Sequence, residues 1–134
     1  MQNGTANMEH PLPETMEIIL ETLGAEIVPY NRQELCCGAA MGINAGLTAH
    51  ALEITAEKQA WMNDAGVEAL AVPCPTCFTQ FDTGQVFMRR KNKELRTFPV
   101  FHIAELVALA LGATSEQLNL KAHKIPHGLA PATV

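Results

Sequence analysis

Residues 67–78 read Val-Glu-Ala-Leu-Ala-Val-Pro-Cys-Pro-Thr-Cys-Phe. The first six are a short apolar run of the kind that forms a buried strand. Cys74-Pro75-Thr76-Cys77 stands directly at its end, and a helix is expected from 78 to about 93. Upstream, Gly66 closes a long helix expected over 47–65, whose Ala49, Leu52, Ala56 and Ala60 make a narrow face for packing on a sheet. Downstream, Phe-Pro-Val-Phe at 98–101 reads as another strand, and His102 opens an apolar helix to Leu111 that Gly112 stops.

The same alternation extends toward the amino terminus. Pro13-Glu14-Thr15 leads into a helix marked by Met16, Ile19, Leu20 and Leu23 and stopped by Gly24. Residues 25–30 (AEIVPY) then read as a third strand. Strands alternating with helices predict a three-layer α/β domain around a small, three- to four-stranded, mainly parallel sheet. Residues 13–124 are expected to form it, with 1–12 a loose leader, a helical turn over 115–120 and 125–134 an irregular tail. Ligands in such folds bind outside the carboxyl ends of the strands.

Four cysteines occur among 134 residues, as two pairs: Cys36-Cys37 before Gly38, and Cys74 with Cys77. Both pairs follow expected strands, so both belong at one carboxyl edge and predict one composite thiolate site. Gly38 and the small residues after it let backbone approach a ligand closely.

Composition narrows the function classes. A net charge of −5 leaves no basic stripe to displace counterions from nucleic acid. The apolar runs are too short to span a bilayer, and no charged and apolar leader argues for export. The expectation is a cytoplasmic chain, where paired cysteines serve metal binding or redox chemistry rather than structural disulfides.

The residues leave three readings of the sulfurs open. Zinc takes four thiolates in a tetrahedron, but adjacent cysteines in an extended segment point apart. That arrangement suits an iron–sulfur cluster, whose several irons can be reached from different directions. A strand, Cys-Pro-Thr-Cys and a helix also form the layout of a thiol–disulfide oxidoreductase, with Cys74 activated by the helix N-terminus. That third reading leaves Cys36 and Cys37 without a role.

The motif Cys36-Cys37-Gly38-Ala39-Ala40, then Cys74-Pro75-Thr76-Cys77-Phe78 and Phe81-Asp82, resembles the cysteine-rich CCG domain of the heterodisulfide reductase family. The likeness continues through Phe98-Pro99-Val100-Phe101-His102-Ile103-Ala104-Glu105-Leu106, near the end of the second repeat of the family's CCG-bearing chains. It implies a non-cubane [4Fe–4S] cluster on Cys36, Cys37, Cys74 and Cys77, with Gly38 beside it. It further implies electron transfer to a disulfide substrate, an electron-donor partner carrying iron–sulfur clusters, and an isolated chain that is catalytically silent. Members of the family carry a further cysteine well before the doublet, where this chain has none. A fragment or a short relative is therefore expected, with zinc as the alternative occupant of a non-redox domain.

Other residues carry weaker expectations. His102 fits either a helix cap or a hydrogen bond toward the site. His50, Asp82 and Glu105 fit solvated helix faces, His123 and His127 the loose end of the chain, and Trp61 helix-on-sheet packing.

Overall fold

The computed structural model describes residues 14–40, 46 and 48–128. The expected leader over 1–12, part of the small-residue loop after Gly38 and the end of the tail lie outside the described residues. The elements in chain order are α1 (Glu14–Thr22), α2 (Thr48–Asp64), β1 (Leu70–Val72), α3 (Pro75–Lys91), β2 (Val100–His102) and α4 (Ile103–Ala110), with a 3-10 turn at Leu120–Ala122.

β1 and β2 run parallel, pairing Leu70 with Val100, Ala71 with Phe101 and Val72 with His102. The chain is a small α/β domain, and its sheet has two strands among the described residues rather than three or four. Residues 25–30 run without ladder pairing. Pro29 there has no N–H to give a neighbouring strand, and Val28 and Tyr30 instead pack against the core as side chains.

Met62, Phe98 and Val100 are at most 1% exposed and centre that core, which also takes in Val67, Leu70, Val72, Phe81 and Cys37. Each such apolar side chain contributes about 1.5–3 kcal/mol on burial. Cys37 is thus built into the main core, which fixes where the doublet can lie.

The buried face of α2 differs from the expected alanine stripe. Ala49, Ala56 and Ala60 are exposed, while Ala51, Thr55, Lys58, Gln59 and Met62 point inward. Three of these five are polar, which hides the face from an apolar pattern. Their donors find partners in loops and on α3, while Gln59 Oε1 has none. Gln59 Nε2 donates to Arg96 O at 2.9 Å and to Gln85 Oε1 at 3.1 Å. Gln85 on α3 in turn accepts from Phe98 N at 3.0 Å and donates to Phe98 O at 2.9 Å. One buried amide so occupies both backbone groups that a further strand would otherwise pair.

Three residues expected at solvated faces or in the loose end of the chain are structural instead. Asp82 is 3% exposed, and its carboxylate accepts from Lys124 N and Ile125 N at 2.8 and 3.0 Å. That clasp brings the buried Ile125 onto the domain. Glu105 accepts from His102 N at 2.8 Å and meets His123 Nε2 at 3.0 Å. His123 itself packs edge-on against Phe78, with ring centroids 4.9 Å apart.

Candidate functional site

β1 ends at Val72, and two residues later Cys74 is the N-cap of α3, with Pro75 at the first helical positions. Proline suits that place because its missing N–H would have had no partner there. Cys77 lies in the first turn of the same helix. The carboxyl edge of the sheet therefore carries both cysteines of the second motif.

The doublet does not follow a strand, as expected, because residues 25–30 pair with none, and it meets this edge through a sulfur contact. Cys37 Sγ stands 3.0 Å from Cys77 Sγ. Cys37 is buried and Cys36 exposed, so the adjacent side chains diverge as an extended backbone dictates. The Cys36 sulfur accepts from Gly38 N at 3.4 Å. Cys74 and Cys77 are half-buried, and all four thiols are free. Among the described residues, no three His, Cys, Asp or Glu side chains converge on one point.

Gly38 holds a left-handed φ of +84°. A Cβ at that position would lie 3.1 Å from Ile54 Cδ1 and 3.2 Å from Ile54 Cβ. The glycine thus lets the doublet turn sharply while pressed against α2. The polar face of α2 holds the same loop. Thr55 Oγ1 has one proton, set between Ala51 O at 2.8 Å and Cys37 O at 3.2 Å, and accepts from Gln80 Nε2 at 2.7 Å. Lys58 Nζ donates to Arg32 O, Gln33 O and Leu35 O at 3.2, 3.0 and 2.7 Å.

The sulfurs differ electrostatically. Cys74 is held below the ordinary thiol range by the N–H groups of Cys77 and then Thr76 at the start of α3, although no cap hydrogen bond closes on its side chain. Burial pushes Cys77 well up, and the neighbouring Cys37 thiol adds to that. Tyr30 is also raised, first by burial, then by Glu34 and Cys77.

His102 caps α4 in a reciprocal box with Glu105. Its Nδ1 accepts from Ala104 N at 3.2 Å, so the ring proton sits on Nε2, which faces Pro73 O at 3.0 Å. The imidazole thereby ties the end of β2 to the residue before Cys74. His50 is exposed beside Glu53, and Trp61 is half-buried with the Arg32 guanidinium 5.8 Å from its ring.

One cysteine of the doublet thus meets one of the Cys-Pro-Thr-Cys turn at the edge of the sheet, and comparison with known proteins gives the family. A family model for the cysteine-rich CCG domain matches residues 3–82. The chain belongs to the cysteine-rich CCG family. It is 34% identical over 117 residues to the B chain of the ferredoxin/F(420)H(2)-dependent CoB-CoM heterodisulfide reductase of Methanosarcina acetivorans, covering 87% of this chain and 39% of that protein. The corresponding B chain of the ferredoxin:CoB-CoM heterodisulfide reductase of Methanosarcina mazei is 33% identical over 113 residues, covering 84% and 38% respectively. The 8-methylmenaquinol:fumarate reductase membrane anchor subunit of Wolinella succinogenes is 31% identical over 117 residues, covering 81% and 37%. This CCG chain spans under two fifths of the length of each of these relatives, which are all named as components of reductases. Among its described residues, no helix is long and apolar enough to cross a membrane.

Sequence reasoning missed Lys58 and Thr55, the two side chains of α2 that grip the doublet loop. A signal existed: Ala51, Thr55, Lys58 and Met62 recur at helical spacing, so a lysine stands on a stripe whose other members face inward.

Proposed function

We propose that this domain holds an iron–sulfur cluster on Cys36, Cys37, Cys74 and Cys77 and serves disulfide reduction within a larger assembly. The observation that carries the reading is the contact between Cys37 and Cys77, across 40 residues of sequence. It brings one cysteine of each motif together and so supports a shared donor set.

The donors suit such a group. All four are free thiols, soft ligands of the kind that bind iron–sulfur clusters and zinc. Cys74 favours its thiolate form, and Cys37 and Cys77 are already side by side. Cys36, on the outer side of the doublet, is the ligand with the most freedom to turn. The group would supply storage of single electrons close to a substrate sulfur.

The residues of the chain do the rest. α2 holds the doublet by Thr55 and Lys58, His102 holds the approach to Cys74, and the core under Cys37 excludes water from one side. Opening a disulfide consumes two electrons and two protons and yields two thiols, a two-electron couple. The electrons require a donor, for which an iron–sulfur protein of a heterodisulfide-reductase-like complex is the partner we infer from the names of the relatives. The cytoplasm, where thiols stay reduced, suits the four free cysteines.

Metal analysis tests this directly. Protein purified without oxygen should contain about four irons and four sulfides per chain. Cys37→Ser and Cys77→Ser should each lose them. About one zinc and no sulfide would overturn the redox reading and leave a zinc-binding CCG domain. A dithiol oxidoreductase would instead keep its thiol exchange in Cys36→Ser and Cys37→Ser, and lose it in Cys74→Ser.

A further inference from the structure

α2 carries a buried cation that the cysteine motifs do not by themselves require. Lys58 is 3% exposed, and its ammonium has three N–H donors. The carbonyls of Arg32, Gln33 and Leu35 take them. The Tyr30 ring lies 5.3 Å from Nζ, adding a cation–π contact. All these partners are neutral, and among the described residues no carboxylate pairs with Lys58 in a salt bridge.

A buried charge without a counter-ion is unfavourable. Burial accordingly lowers the pKa of Lys58, and the groups that oppose this are the sulfurs of Cys37 and Cys77, the Glu34 carboxylate and the sulfur of Cys36. Three of those four are sulfurs of the candidate site. The geometry ties Lys58 to the site through the loop it clamps, which runs directly into the doublet. Leu35, whose carbonyl makes the shortest of the three bonds at 2.7 Å, directly precedes Cys36.

We propose that Lys58 is the positioning residue of the cysteine site, clamping the loop before the doublet and supplying the buried positive charge against which the sulfur ligands carry negative charge. This rests on the metal-binding reading of the four cysteines. Coulomb attraction is mutual, so the ammonium favours any step that makes the site more negative. Reduction of a bound cluster by one electron is such a step. So is loading of a divalent metal, in which four neutral thiols lose four protons and the site passes to a net charge of −2.

The test compares wild type with Lys58→Met, Lys58→Gln and Lys58→Arg, each loaded anaerobically with ferrous iron and sulfide. Midpoint potentials are read by redox titration followed by electron paramagnetic resonance. Met and Gln should make one-electron reduction about tenfold less favourable, about 59 mV more negative, and Arg should restore the wild-type value. Lower iron content with an unchanged potential would reduce Lys58 to a loop brace and overturn the proposal. Gln keeps a donor for the loop carbonyls and serves if circular dichroism finds Met unfolded. If the wild type takes up no iron and sulfide, the cluster reading fails on its own account, and Co2+ alone becomes the probe. Its thiolate charge-transfer absorption should then report about tenfold weaker binding in Met and Gln than in wild type and Arg. Equal affinities in all four would overturn the role of Lys58.

Discussion

Cys37 and Cys77 touch through their sulfurs at 3.0 Å, while Cys77 and Cys74 share one helical turn and Cys36 faces outward. It follows that mild oxidation of the metal-free chain should join Cys37 to Cys77. Diamide, which takes up the two electrons and two protons released by the thiols, should give that disulfide as the main product in peptide mapping. A dominant Cys74–Cys77 disulfide would mean that the second motif works as an independent dithiol.

The opposite shifts of Cys74 and Cys77 predict an order of reactivity. The N–H groups at the start of α3 favour the Cys74 thiolate, whereas burial and the Cys37 thiol keep Cys77 protonated. As pH rises in the reduced, metal-free chain, iodoacetamide should modify Cys74 before Cys77, read by mass spectrometry at each pH. The stability terms have opposite signs. The contribution of Cys74 is present above its unfolded pKa and is lost as pH falls through its lowered folded value. That of Cys77 is present below its unfolded pKa and is lost as pH rises toward its raised folded value. Replacing Cys77 by serine should therefore flatten the alkaline loss of stability.

Gly38 and Gly24 separate two effects of glycine. Both hold left-handed φ, +84° and +88°, so alanine costs about 1–2 kcal/mol at either. At Gly24 a Cβ meets nothing within 4 Å, while at Gly38 it meets Ile54 at 3.1–3.3 Å. Gly38→Ala should lower the melting temperature further than Gly24→Ala, and it alone should reduce iron uptake.

How much of this is legible in the sequence depends on whether a position obeys an apolar period. β1, β2 and the Cys74–Cys77 turn go with short apolar runs closed by Pro73 or opened by Pro99, and both strands form within or beside those runs. The run over 25–30 is as apolar, yet forms no strand, because pairing depends on a neighbour that no local pattern names. The inward face of α2 escapes an apolar reading because Thr55, Lys58 and Gln59 look solvated until the carbonyls they bind are folded against them. Asp82, Glu105 and His123 escape it for the same reason: each bonds a group distant in sequence or capping the next helix. The contact between Cys37 and Cys77 is legible in the paired cysteines, and the side chains that support it are not.

Gln85 offers the sharpest test of those polar supports. It is fully buried, and its amide satisfies both the N–H and the C=O of Phe98, with Gln59 as a third partner. Gln85→Leu keeps the volume but leaves Phe98 N, Phe98 O and the Gln59 amide short of partners. Each buried group so stranded costs about 1–3 kcal/mol, and the loss falls just before β2. Gln59 Nε2 keeps Arg96 O, so the two Phe98 groups set the expected destabilisation at about 2–6 kcal/mol, measured by urea unfolding of the metal-free chain. Hydrogen exchange should show where it acts: the Leu70 N–H, bonded to Pro99 O at 2.9 Å, should lose protection, whereas the N–H groups of α1 should not. A neutral result in both measurements would mean that water replaces the amide at Phe98, and that the edge of the two-stranded sheet is open to solvent rather than sealed by α3.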